Sequence, residues 1–226
     1  MEPAVPGGLF CARIPNPPAS RAVVPQVQRI FLLSPAKVSG VRAKLLLNRA
    51  APFPLARTFH REGLPLADIF TFASGLYFRG KITYARHFVR PDRGELIRII
   101  TTNTGLLDPL THVTPAALRA FGKVDIREDN PRYSKPLRRD AATFAQQLAP
   151  DGIAILLGSI ATAKYRDVLL DAFGDRLVFP SDFIGRGDMS RGGLLLRSAR
   201  ENRELPYIPV RGAIFKGKRA PRISEM

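Results

Sequence analysis

The sequence predicts an α/β fold: a mainly parallel central sheet of about four or more strands, with helices on both faces and a helical insertion. Three features lead there. Short apolar runs of strand length recur at residues 29–33, 96–101, 153–158 and 176–179. Stretches of helical spacing separate them, as parallel strands require of their crossovers. The runs lead into polar turns at Ser34, at residues 101–105, at Gly158 and Ser159, and at Ser181 and Asp182. In open α/β sheets, ligands bind outside the carboxyl ends of the strands.

Each element has a local reason. Pro3, Pro6, Pro15, Pro17, Pro18 and Pro25 keep the start of the chain out of a helix, so residues 1–27 read as a proline-rich flexible arm. The first strand, 29–33, leads into a short helix at 41–49 with Leu45, Leu46 and Leu47 inward. A second helical piece lies near 55–61. Residues 66–78 are apolar and aromatic around Gly75, and helix continues over 79–90. The isoleucine-rich strand 96–101 is followed by a loop with Gly105. Thr114 caps a short helix that begins at Pro115. Leu137, Ala141, Phe144 and Leu148 give the next helix its apolar stripe. Strand 153–158, helix 163–173 ended by Gly174, and strand 176–179 follow. Residues 185–193 read as loop and 194–203 as helix. Together, 28–205 form one α/β domain with a helical lobe at 42–93, and 206–226 a basic extended tail.

Charge points to the partner. The formal net charge is +16 over 226 residues. No Asp or Glu lies between Glu2 and Glu62, an interval holding Arg13, Arg21, Arg29, Lys37, Arg42, Lys44, Arg49, Arg57 and Arg61. Such asymmetry favours nucleic acid through phosphate contacts and counterion release; a solvated basic surface is the plainer alternative. Cys11 is the only cysteine, which excludes disulfides within the chain and cysteine zinc sites. His60, His87 and His112 lack metal-ligand spacing, and no cofactor signature is present. No apolar run nears the roughly 18 residues that span a bilayer. A cytoplasmic location and no membrane partner are expected; the oligomeric state is open.

Candidate site residues sit at the strand ends. Ser34 and Lys37 lie in a turn closed by Gly40, where a lysine can grip phosphate or, if desolvated, act as a nucleophile. In the aromatic stretch at 72–84, Tyr77 can stack on a base while Arg79 and Lys81 hold phosphates; aromatic helix segments more often fill a core. Asn103, among threonines, suits a bidentate base contact, or a self-capped turn. Ser159 opens toward a helix whose free N–H groups make an anion site, with Lys164 and Tyr165 nearby. Asp182 and Asp188 are the acids available for general-base or charge-stabilising work, and Arg186, Arg191, Arg197 and Arg200 surround them.

These blocks, in this order, resemble the YaaA family of bacterial peroxide-stress proteins. The resemblance rests on SPAK at Ser34–Lys37, the aromatic–glycine block at 72–80, GLLxPL at 105–110 with Pro115 downstream, Ser159 and Tyr165, and the glycine-rich basic segment 185–200. Where that family usually has Ser-Gly-x-Tyr before GLL, this chain has Thr101, Thr102, Asn103 and Thr104. It reads as a distant relative. The resemblance implies an α/β core that binds DNA and limits oxidative damage to it, and it is similar to uracil-DNA-glycosylase-like folds. The leading expectation is a DNA-binding protein with a base- or nucleotide-sized pocket at the strand ends. The phosphate and base contacts would come from Ser34, Lys37, Tyr77, Arg79, Lys81, Asn103, Ser159, Lys164, Arg186, Arg191, Arg197 and Arg200. The alternatives are an enzyme acting on a nucleobase or N-glycosidic bond through Lys37, Asp182 or Asp188, and a nucleotide sensor.

Overall fold

Ile30, Phe31, Leu32 and Leu33 are all fully buried, because the strand that carries them, β1 (Val27–Leu33), has a neighbour on each side and helices above and below. The computed structural model describes residues 27–161 and 163–213. The proline-rich arm before residue 27, with Cys11, and the end of the basic tail lie outside the described residues.

The chain order is β1, α1 (Val41–Leu47), α2 (Pro54–Glu62), β2 (Leu64–Pro65), α3 (Leu66–Ser74), α4 (Leu76–Phe88), β3 (Glu95–Ile100), β4 (Leu106–Leu107), β5 (His112–Val113), α5 (Pro115–Phe121), α6 (Pro131–Gln147), β6 (Leu148–Leu157), α7 (Ala163–Phe173), β7 (Leu177–Pro180), α8 (Asp188–Arg200) and β8 (Tyr207–Pro209). The main sheet has the order β4-β3-β1-β6-β7-β8, and β2 pairs with β5 separately. The four inner strands are parallel, with Phe31 opposite both Ile97 and Ile155. The edge strands β4 and β8 are antiparallel to their neighbours. This is the expected mainly parallel α/β fold.

The direction of travel reverses at β1. The chain goes from β1 to β3 on one side, then returns past β1 to β6 and β7 on the other. Right-handed crossovers therefore put α1–α4 on one face and α5–α7 on the opposite face. After β7, α8 comes back to pack along α4, while α6 packs with α7. The carboxyl ends of β1 and β6 flank the resulting switch point.

Several elements differ from the sequence expectation, each for a local reason. Gly75, at φ 63, splits the aromatic stretch into α3 and α4. In α1 only Ala43 and Leu46 are buried, and Leu45 is 46% exposed; three consecutive leucines cannot share one face of a 3.6-residue turn. Helix α6 starts six residues early, because Asn130 accepts from the Arg132 N–H and Pro131 fits the first turn. It also tolerates Pro136 inside it. Helix α8 begins at Asp188, so the segment expected as loop is its first turns. Residues 207–209, expected as part of the tail, form an edge strand of the sheet.

The glycines in α8 explain why that segment looked like loop. A Cβ on Gly80 would stand 2.6 Å from the Gly192 carbonyl oxygen, and one on Gly192 would stand 2.9 Å from the Tyr77 Cα. The two helices therefore touch backbone to backbone. At the amino end of the sheet, Arg29 ties the layers together. It bonds Glu95 at 3.0 Å, Glu204 at 2.6 Å and the Phe88 carbonyl at 2.8 Å. Tyr207 bonds both Tyr84 and Glu204, each at 2.7 Å. Among the described residues, no helix is long and apolar enough to cross a membrane.

Gly80→Ala and Gly192→Ala are each expected to destabilise the fold by about 1–3 kcal/mol, the range for overpacking a tight contact. Gly193→Ala, with nothing within 4 Å of its new methyl, should be neutral or gain up to about 1 kcal/mol of helix propensity. Urea unfolding of the three variants checks this.

Candidate functional site

A cleft of about 800 Å³ opens at the carboxyl ends of β1, β3 and β6. This is the switch point, where the two crossover directions leave a crevice. Its polar lining comprises Ser34, Lys37 and Ser39 after β1, Thr102 after β3, Ser159, Lys164 and Tyr165 around the β6–α7 turn, Tyr77 and Ser74 from the helical lobe, Asp125 and Arg127 before α6, and Asp188 at the start of α8. Val38, Phe121, Val124 and Ile126 form an apolar wall. Hydroxyls, a few cations and an apolar wall suit a ligand that is part ring and part anion.

The floor of the cleft is tightly organised. The Ser34 N–H donates to the Leu157 carbonyl at 3.2 Å, which locks the turn onto β6. Lys81 is 1% exposed. Its Nζ lies 2.6 Å from the Ser34 carbonyl oxygen and 2.8 Å from Ser34 Oγ. The same nitrogen sits 4.5 Å from the centre of the Tyr77 ring and 5.0 Å from that of Phe78. Burial pushes the Lys81 ammonium down to about 7, and Asp188 opposes this through space to a lesser extent. The Tyr165 hydroxyl accepts from the Ser159 N–H at 2.9 Å. Burial raises the Tyr165 phenol, against the pull of its contact with Ser34. The Tyr77 hydroxyl is buried without a hydrogen-bond partner among the described residues. The Arg191 guanidinium acts on it through space, but burial outweighs this and pushes the phenol up.

Of the residues expected at the site, Ser34, Lys37, Tyr77, Ser159, Lys164 and Asp188 line this one cleft. Lys81 is beneath it, enclosed, so it cannot hold a phosphate at the surface. Arg79 faces a separate hollow of about 460 Å³ with Arg42, Ser74 and Met189. Asn103 accepts from the Thr104 hydroxyl in a self-bonded turn and does not line the cleft. Asp182 is also off the cleft; its carbonyl accepts from Arg186 Nε at 3.0 Å. Arg186 also donates to Ser190. Arg191 is turned inward onto the Phe183 carbonyl and ring and stands 3.6 Å from Asp188. Arg197 and Arg200 lie about 14 and 18 Å further along α8 than Asp188 at 1.5 Å per residue. The Ser159 N–H, expected free for an anion, is taken by Tyr165. Thus three strand ends converge, and the fourth, after β7, is replaced at the cleft by Asp188.

Sequence reasoning placed Thr102 at a strand end suited to a ring edge, but missed Asp125 and Arg127 and set Lys81 at the surface. Lys81 stands four residues after Tyr77, on the same helix face. That spacing, in a helix otherwise apolar on one side, was the available signal. Among the described residues, no cluster of three His, Cys, Asp or Glu side chains could hold a metal ion. No protein-family model, curated protein or solved structure matches the chain, so the chemistry of the cleft itself carries the functional reading.

Burying Lys81 makes stability depend on pH. Between about pH 7 and pH 10.5 the unfolded chain holds a proton on Lys81 that the folded chain has lost. This group's contribution to stability therefore rises with pH across that window and levels off above it, once both states are neutral. Lys81→Met should flatten that part of the curve of unfolding free energy against pH, measured by urea melts.

Proposed function

We propose that this protein binds nucleic acid, DNA in the first instance, and seats a nucleotide-sized unit of it in the cleft at the switch point. The observation that carries the reading is the cleft itself. Its volume suits a nucleotide, its apolar wall at Phe121, Val124 and Ile126 suits a base, and Lys37 and Lys164 at its rim suit phosphate. The net charge of +16 supports a polyanionic partner. The resemblance to YaaA proteins supports it too, since Ser34, Lys37, Ser159 and Tyr165, which carry that resemblance, meet in this one cleft. The N-glycosidic reading keeps only Asp188 of its two acids.

Fluorescence anisotropy with labelled single-stranded and duplex DNA, titrated with salt, tests the reading. Affinity should fall steeply as salt rises. Replacing both Lys37 and Lys164 by Ala should weaken binding about equally across sequences. It should also reduce the salt slope by about 2, roughly one for each phosphate that a lysine no longer neutralises. Absence of binding, or binding indifferent to salt, would refute it.

A further inference from the structure

We propose that Ser34 is a nucleophile, that Lys81 is the base that takes its proton, and that the cleft accepts an acyl group from an ester or amide substrate. This goes beyond the binding reading and does not rest on it.

Three features of the floor carry the assignment. First, one buried amine stands within hydrogen-bond distance of one serine hydroxyl, at 2.8 Å, and that hydroxyl belongs to a residue lining the cleft. Among the described residues the amine has no carboxylate in contact; its partners are Ser34 and the faces of Tyr77 and Phe78. A lysine kept only to fill that space is costly to bury, and an apolar chain of the same length would serve. A lysine that must lose its proton near neutrality belongs in such surroundings. Second, the serine is rigid, at a strand end between the Ser34–Leu157 main-chain bond and Pro35. Nucleophile and base are therefore held together by two separate elements, β1 and α4. Third, Gly158 leaves room. A Cβ there would stand 2.9 Å from the Ser34 Cβ, 3.1 Å from Ser34 Oγ and 2.9 Å from the Tyr165 hydroxyl. Any side chain at 158 would collide with Ser34 and with the Tyr165 hydroxyl that contacts it.

The chemistry balances within these groups. In the neutral amine, the Nζ lone pair accepts the Ser34 O–H. As Ser34 Oγ bonds to the substrate carbonyl carbon, its proton passes to Lys81. The bond from that carbon to the leaving oxygen or nitrogen then breaks, and the Lys81 ammonium returns the proton to the departing alcohol or amine. Water, deprotonated by Lys81 in turn, attacks the acyl-serine, giving a carboxylic acid and free Ser34. The groups that face the pair are Tyr77 on α4, Asp188 on α8, and Tyr165 on α7. Asp188 favours the charged lysine.

Incubation of the full chain with p-nitrophenyl acetate and with a fluorophosphonate, followed by peptide mass spectrometry, tests the proposal. The expected result is a single adduct on Ser34, formed faster as pH rises through about 7, with a plateau above it. Ser34→Ala should abolish the adduct. Lys81→Met and Lys81→Arg should each slow it by about 100-fold or more. Asp188→Asn should move the midpoint of the pH profile down. If Lys81 variants fail to fold, the pH profile of the unaltered chain and the Ser34→Ala comparison still decide the matter. No Ser34 adduct between about pH 5 and pH 9 would overturn the proposal, as would an adduct rate that ignores pH across that range. A Ser34 adduct from bis-p-nitrophenyl phosphate but none from the ester would overturn the acyl assignment. No nucleic acid enters these assays, so their failure is distinct from failure of the binding reading.

Discussion

The contact between Gly80 on α4 and Gly192 on α8 sets how closely α8 packs on the helical lobe. Helices packed through ordinary side chains lie about 8–10 Å apart; a pair of glycines lets two backbones meet. Tyr77 and Lys81 flank Gly80 on α4, and Asp188 stands one turn before Gly192 on α8. Closing the two helices together brings Asp188 up to Tyr77 and Lys81. With larger residues at the crossing, α8 would stand off from α4 and carry Asp188 away from Tyr77 and Lys81.

The two ends of the sheet divide the work. At the amino end, Arg29 meets two carboxylates and a carbonyl, and the Tyr84–Tyr207–Glu204 chain locks α4 to the last strand. There Arg29 meets charges of opposite sign, although its Nε is buried without a partner among the described residues. At the carboxyl end, among the described residues, Tyr77 keeps an unpaired hydroxyl and Lys81 lacks a carboxylate in contact. The buried amine with no carboxylate in contact is peculiar to the carboxyl end, and it marks that end as the place where something besides stability was required.

Much of the fold was legible because its signals are local. The inner strands announce themselves as apolar runs buried on both sides, and Gly174 and Thr114 mark helix ends through backbone conformation and capping. The start of α8 was not legible. Glycines at 192 and 193 look like loop residues, and only the approach of α4 to Gly192 gives one of them its place in a helix. The edge strand β8 was hidden for a similar reason, since only its pairing with β7 makes it a strand. At the site, the strand-end residues Ser34 and Ser159 could be read because topology alone puts them together. Arg191 and Lys81 could not, because whether a cation faces water or the interior depends on which neighbours fold over it. The Phe183 carbonyl and ring turn Arg191 inward, and Ser34 does the same for Lys81.

The solitary burial of Lys81 has a thermodynamic corollary. A negative charge settling in the crevice above it must raise the affinity of that amine for hydrogen ions, acting in the same sense as Asp188. By linkage, anion uptake near neutrality draws hydrogen ions from solution, and acidification tightens the grip. The same event removes the lone pair beside Ser34. Occupancy by an anion and reactivity of the serine thus pull one amine in opposite directions, and the molecule cannot maximise both at once.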